Sequence, residues 1–232
     1  MPTNNDMLSG SNKLSIFHPR KYILTKVRKE LQKVFDKNIT KTDGMLLDYG
    51  CGDMPYRNYL SSKVEKYIGA DIEGNDKADM LILPNGRTPL ADNTSDYVIS
   101  TSVLEHVPDV ALYLNETARV LKKEGLIILT THGIWMYHPH PTDFWRWTSM
   151  GLKKVFEDNN FEIVHFQGVG SRAAMGLLLF QDGLYFKLPV FIRNIFSMLM
   201  QPFICLFDKV SKKNTTDKDA GFYIVVAKPK KL

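Results

Sequence analysis

Residues 46–56 read "LLDYGCGDMPY", an apolar run that ends in an acid and is followed by two glycines with one residue between them. Such a run reads as a buried strand whose far end opens into a loop. Gly50 and Gly52 supply positions in that loop where no side chain blocks a ligand. A dinucleotide fingerprint would require a third glycine at position 55, where the chain has Pro55, a residue better suited to opening a helix.

The same design recurs downstream in "KYIGADI" (66–72), "DYVIST" (96–101) and "GLIILTTH" (125–132). Helical stretches separate these strands: "PYRNYLSSK" (55–63) and "DVALYLNETARVLKKEG" (109–125), the second closing on lysines and a glycine. Alternation of this kind predicts a parallel sheet covered by helices on both faces. A further helix is expected near 148–158, and "FEIVHFQGV" (161–169) and "GFYIVVAKP" (221–229) are two more strand candidates. Upstream, "RKYILTKVRKELQKVF" places Ile23, Val27, Leu31 and Val34 about one turn apart, which gives a helix with one buried stripe.

A carboxylate at the first strand tip, Asp48, would repel a pyrophosphate but suits a ligand bearing an ammonium and a sulfonium. S-adenosylmethionine has both. Asp71 ends the second strand, 19 residues beyond Gly52, where an acid commonly accepts hydrogen bonds from the ribose hydroxyls of an adenosine.

Taken with "YIGADI", "PLADNTSDYVISTSVLEHVPD" and "ETARVLKKEGLIILTTH", the glycine loop resembles the class I S-adenosylmethionine-dependent methyltransferases of the type 11 group, over roughly residues 44–165. The resemblance implies a Rossmann-like α/β fold, with a seven-stranded, mostly parallel sheet, an antiparallel last strand and helices on both faces. It implies S-adenosyl-L-methionine as cofactor, held by Asp48, Tyr49, Gly50, Cys51 and Gly52 at the methionine end and by Asp71 at the ribose. Ile72 would flank the adenine, Asp79 would contact it, and Ser100 and Ser102 would lie near the reactive end.

The stretch "YHPHPTDFWRWT" (137–148) follows the fifth strand and therefore belongs at the carboxyl edge of the sheet, on the acceptor side. Methyl transfer to a hydroxyl needs alignment and removal of a proton. His138 or His140 suits that task, with Asp143 orienting the ring; His106, after the fourth strand, is a further catalytic candidate. Tyr137 and Trp145 offer flat faces for a sugar ring, and Arg146 could take a substrate phosphate or pair with Asp143. His138, His140 and Asp143 also make a conceivable metal set, but no established ligand spacing stands behind it, and no metal is assigned. The stretch also resembles members of the group associated with bacterial surface-polysaccharide and glycolipid biosynthesis.

With 232 residues, 44% of them hydrophobic, the chain is long enough for one main core. The net charge of +5 is spread along the chain, so no nucleic-acid partner is expected. Two distant cysteines and no charged-then-apolar leader pattern lead to a cytoplasmic expectation. Residues 1–19 are expected as a flexible arm, 20–170 with 221–232 as the methyltransferase domain, and 171–220 as an apolar insertion between the last two strands. Within that insertion, residues 184–207 are interrupted by Lys187, Pro189, Arg193 and Pro202. They read as a cap or subunit contact, or as a helix lying on a bilayer, giving a possible peripheral membrane contact, and not as a spanning helix.

The expected activity is O-methylation of a glycan, glycolipid or small hydroxyl acceptor. Methylation of nitrogen or carbon on a metabolite or protein is the alternative in the same class, and a scaffold without turnover the alternative outside it. Pro55 and Asp48 disfavour a nicotinamide-dependent oxidoreductase.

Overall fold

The computed structural model describes residues 14–211 and 217–230. Of the expected arm, residues 1–13 lie outside the described residues. Pro19, at the end of that arm, is tied down, since its carbonyl accepts hydrogen bonds from the Gln181 and Gln201 amides at 2.7 and 2.9 Å.

Helix α1 (Lys21–Asn38) buries Ile23, Leu24, Val27, Leu31, Val34 and Phe35, a stripe at the i, i+4 spacing expected of an amphipathic helix. Strand β1 (Met45–Tyr49) follows, then a single turn, α2 (Arg57–Leu60). The longer helix expected over 55–63 stops there because Ser62 turns its hydroxyl back onto the Tyr59 carbonyl, a competing bond that serine favours at helix ends. Strands β2 (Lys66–Asp71), β3 (Met80–Leu81) and β4 (Ser95–Thr101) come next. Helix α3 (Val110–Val120) is capped by Asp109, whose carboxylate accepts from Leu112 N at 3.0 Å.

The lysines and glycine that suggested a helix end for α3 belong instead to strand β5 (Leu121–His132). Leu121 is fully buried and pairs with Ser95, while Lys122 forms an ion pair with Asp96 at 2.7 Å. Tertiary pairing overrides helix propensity there. Helix α4 (Ser149–Asp158), strand β6 (Phe161–Ser171), helices α5 (Arg172–Tyr185) and α6 (Val190–Val210), and strand β7 (Ala220–Pro229) complete the chain.

The seven strands form one sheet in the order β3-β2-β1-β4-β5-β7-β6. Pairs from β3 to β5 are parallel, and β7 runs antiparallel between β5 and β6. This is the Rossmann-like arrangement that the resemblance implies. One apolar core lies between the sheet and α1, α5 and α6, and a second lies on the opposite face under α3 and α4. Connections leave β1 and β4 in opposite directions, so the crevice above their carboxyl ends is the topological switch point where ligands bind in open α/β sheets.

Helices α5 and α6 pack on each other, on α1 and on β6. Helix α6 is continuous through Pro202 and is long and apolar enough, by length and composition, to cross a membrane. Its amphipathicity is inverted. Ser197, Ile204 and Asp208 are buried toward the domain, whereas Phe191, Leu199, Phe203, Leu206 and Val210 are exposed. Asp208 holds the helix in place by pairing with Lys26 and accepting from Ser171 N at 2.8 Å.

Candidate active site

The glycine loop sits at the tip of β1, with Gly50 N and Cys51 N both donating to the Ala70 carbonyl at 2.9 and 3.0 Å. Gly50 has φ +83°, and a Cβ there would lie 2.6 Å from Val103 Cγ2. Both the backbone conformation and the close approach of the β4 loop therefore require glycine. Gly52 has φ +52°, and nothing lies within 4 Å of where its Cβ would be, so the loop faces open space on the crevice side.

Three expected cofactor contacts are corrected in part. Tyr49 turns inward, stacks on Tyr113 at 4.4 Å and donates its hydroxyl to the Gly86 carbonyl. The Cys51 thiol is buried, and burial pushes its pKa up. Asp48 is 1% exposed, accepts from the Tyr67 hydroxyl and leaves Oδ1 without a partner. Burial pushes its carboxyl up to about 7, against the stabilising bond from Tyr67. The side chains of Tyr49 and Cys51 thus form the floor of the site, and Asp48 does not present a carboxylate to the crevice. Strand alternation, which places Asp48 on the face of Leu46, is the reason.

Asp71 lies where the sequence places it. Its carboxylate accepts from Gly52 N at 2.9 Å, Ile72 N at 2.9 Å and Asn75 Nδ2 at 2.6 Å, so acid and glycine loop form one unit. Asn75, which the sequence reading did not single out, also donates to the Gly52 carbonyl at 2.8 Å. A carboxylate has about four acceptor positions, so a ribose hydroxyl can still bond to Asp71. Ile72 is exposed and offers an apolar surface beside it. Asp79 is held by Arg57 at 2.6 Å and accepts from Gly69 N at 2.8 Å, which commits it to the framework.

At the tip of β4, Ser100 is buried and accepts from the Tyr113 hydroxyl at 2.6 Å, so it faces the core and not the crevice. Ser102, with φ +54°, is half-buried and donates its N–H to the Thr130 carbonyl at 2.9 Å, beside the glycine loop.

The stretch 137–148 is laid across the turn after β4. Phe144 N and Trp145 N donate to the Glu105 carbonyl at 2.8 and 3.2 Å, and Trp145 Nε1 donates to the Val107 carbonyl at 2.7 Å. Trp147 N reaches the His132 carbonyl at 3.0 Å. Arg146 does not point at a substrate. Its guanidinium forms a two-bond pair with Asp143 and donates to the Trp135 and Met136 carbonyls at 3.2 and 2.5 Å. Burial opposes ionisation of Asp143, but Arg146 and His138 N–H hold its pKa low, at about 2. Its distance from His138 Nδ1, 3.5 Å, is too long for the ring-orienting bond expected of it. Asp143 therefore positions the backbone of the stretch.

Four histidines gather here. His132, at the end of β5, is fully buried and contacts Glu105 at 2.7 Å. His138 packs edge-on against both His132 and His106, at ring separations of 4.6 and 4.8 Å. Burial lowers the pKa of His138 to about 3, which makes it a weak proton acceptor at neutral pH. His140 is exposed, 6.2 Å from His138. His106 donates Nδ1 to the Thr142 carbonyl at 2.6 Å, and its Nε2 is buried without a partner. Tyr137 and Trp145 are exposed at the surface of the stretch. The sequence reading missed His132 as a site residue because a histidine closing an apolar strand reads as core until Glu105 is placed beside it.

A sheet of this order, with a glycine loop and an acid at adjacent strand tips, is a Rossmann-like α/β fold. Residues 47–129 match the family model described as methyltransferase domain. An uncharacterized methyltransferase from Mycobacterium leprae is 30% identical over 103 residues, covering 40% of this chain; the chain spans 38% of that relative's length. Among solved structures, the [4+2]-cyclase SpnF superposes with a TM-score of 0.59 at 18% identity, over 91% of this chain and 84% of that one. The phosphoethanolamine N-methyltransferase 2 of Haemonchus contortus, solved with S-adenosyl-L-methionine, gives 0.56 at 15% identity, over 100% of this chain and 61% of that one.

Proposed function

We propose that the chain is an S-adenosyl-L-methionine-dependent methyltransferase acting on a hydroxyl of a glycan or glycolipid. The observation that carries the reading is the bonded unit of glycine loop and Asp71, with its open side at Gly52. The methyltransferase domain match, which begins at Leu47 and runs to Leu129, covers that unit. The acceptor oxygen attacks the methyl carbon in line, the carbon–sulfur bond breaks, and the electron pair stays on sulfur to give the neutral thioether. The hydroxyl proton passes to a base, a role that falls to His106, whose Nδ1 bond to the Thr142 carbonyl leaves the lone pair on Nε2.

Tyr137 and Trp145 support a sugar-bearing acceptor, since exposed aromatic faces stack on pyranose rings. The inverted helix α6 supports work at a membrane surface. A groove of roughly 660 Å³ between α1 and α6 is lined by Lys21, Lys29 and Lys209, besides Lys26 and Lys33, which pair with Asp208 and Glu30 in the same groove; the first three add attraction for anionic headgroups beside the apolar face. The domain would act on the cytoplasmic leaflet.

Calorimetry with S-adenosyl-L-methionine tests the core of the reading. Wild type binds and Asp71→Ala binds at least about tenfold more weakly, the loss of one hydrogen bond to a charged group. Incubation with methyl-labelled cofactor and a glycolipid fraction then identifies the acceptor. Equal affinity of wild type and variant would remove the ribose assignment, and label confined to nitrogen or carbon of small metabolites would replace the acceptor class.

A further inference from the structure

We propose that Glu105, His132 and His138 form a binding site for one divalent first-row transition-metal ion of the zinc class. The three side chains come from three separate segments: the turn after β4, the end of β5 and the stretch that crosses it. One ligand atom from each lies within 4.8 Å of the others, and all three residues are buried. Two imidazole nitrogens with one carboxylate oxygen are a ligand set that zinc and related ions accept at about 2.0–2.2 Å, leaving a fourth position open.

The state of the donor atoms separates this site from an ordinary buried histidine cluster. Neither nitrogen of His138 nor Nε2 of His132 has a hydrogen-bond partner, and His132 Nδ1 and Glu105 Oε1 face only each other, at 2.7 Å. Stacking accounts for the rings but not for these atoms. His132 lies parallel to Trp135 at 5.0 Å and meets Phe222 at 4.5 Å, contacts that occupy its faces, while the nitrogen lone pairs lie in the ring plane. The second oxygen of Glu105 accepts from Thr131 Oγ1 at 2.8 Å, an outer contact of the kind that orients a ligating carboxylate. The set differs from His138, His140 and Asp143, because Asp143 is taken by Arg146 and His140 lies outside the cluster.

The test uses the full chain, with any affinity tag removed, after chelation and dialysis, and needs no enzyme activity. Titration with Co²⁺, followed by visible d–d absorption, and competition with Zn²⁺ are expected to show one equivalent bound. His138→Ala, which removes a ligand from a loop, should retain its circular dichroism and bind at least about 100-fold more weakly, since even outer-contact losses reach 10–100-fold. Glu105→Gln should weaken binding in the same direction. His165→Ala, on β6 away from the cluster, should bind as wild type does. Absence of an equimolar site in the wild type, or an equal affinity in His138→Ala, would overturn the proposal. Because the readout is metal binding alone, its failure leaves the methyltransferase reading standing, and failure of cofactor binding leaves the metal site standing.

Discussion

His106 places Nδ1 2.6 Å from the Thr142 carbonyl, and this contact determines which ring nitrogen is free. A carbonyl only accepts, so Nδ1 carries the hydrogen and Nε2 holds the lone pair in the neutral ring. Among the candidate bases, His138 is weakly basic and Asp143 is committed to Arg146. His106→Ala is therefore expected to lower turnover by about 10²–10⁴-fold, the usual range for a positioned base, with cofactor affinity within a factor of two. Single-turnover transfer of labelled methyl measures it, and wild-type turnover in this variant would return the role to His140.

The Asp143–Arg146 pair should behave as one structural unit. The Asp143 side chain is 1% exposed, and Arg146 also satisfies two backbone carbonyls. Removing either partner leaves buried groups without bonds, at about 2–4 kcal/mol. Asp143→Ala and Arg146→Ala should thus destabilise by similar amounts, and the double variant by much less than their sum. Arg146→Lys should not restore stability, because an ammonium cannot reproduce the planar two-bond contact. Denaturant melts of the four proteins decide it; additive losses would mean the two residues act separately.

How far these features were legible differs from element to element. Periodicity and glycine placement made α1, the parallel strands and the Asp71–glycine-loop unit visible, because each depends on local spacing. The side-chain directions of Asp48, Tyr49 and Ser100 were not, because strand alternation turns them beneath the sheet edge and motif position alone does not register this. The Glu105–His132 contact joins residues 27 apart, one in the turn after β4 and one at the end of β5, and its meaning appears only once β4 and β5 are in register. The two-residue strand β3 is too short to carry any period.

Asp48 should make the protein less stable as pH rises through neutrality. Its folded pKa of about 7 exceeds the ordinary aspartate value of 3.8, so between these values the native state binds the proton that the unfolded chain has released. Stability then falls with increasing pH across that window and levels off above it. Asp48→Asn keeps an acceptor for Tyr67 and removes the titration. It should flatten the slope between pH 4 and 7 and, at pH 8, stabilise by up to a few kcal/mol, since each tenfold change in proton affinity corresponds to about 1.4 kcal/mol. Thermal melts across pH test the sign. A wild type whose stability rises over the window relative to Asp48→Asn would show that the carboxylate is stabilised by its surroundings.

The outward face of α6 carries the last expectation. Phe191, Leu199 and Phe203 are 75%, 56% and 55% exposed, and the opposite stripe is fastened to the domain through Asp208 and Gln201, so the helix lies along the surface instead of projecting from it. Such a helix binds bilayers in proportion to the apolar area it inserts and the anionic charge it meets. Wild type should float with vesicles containing phosphatidylglycerol and much less with phosphatidylcholine alone. The triple variant Phe191→Glu, Leu199→Glu, Phe203→Glu should remain in the pellet fraction with its fold intact, since none of the three side chains is buried. Raising salt should release the wild type as the lysines of the α1–α6 groove are screened. Flotation that survives the triple substitution would place the contact elsewhere, and a dimer that forms in its absence and dissociates with it would make the face a surface between two copies of the chain.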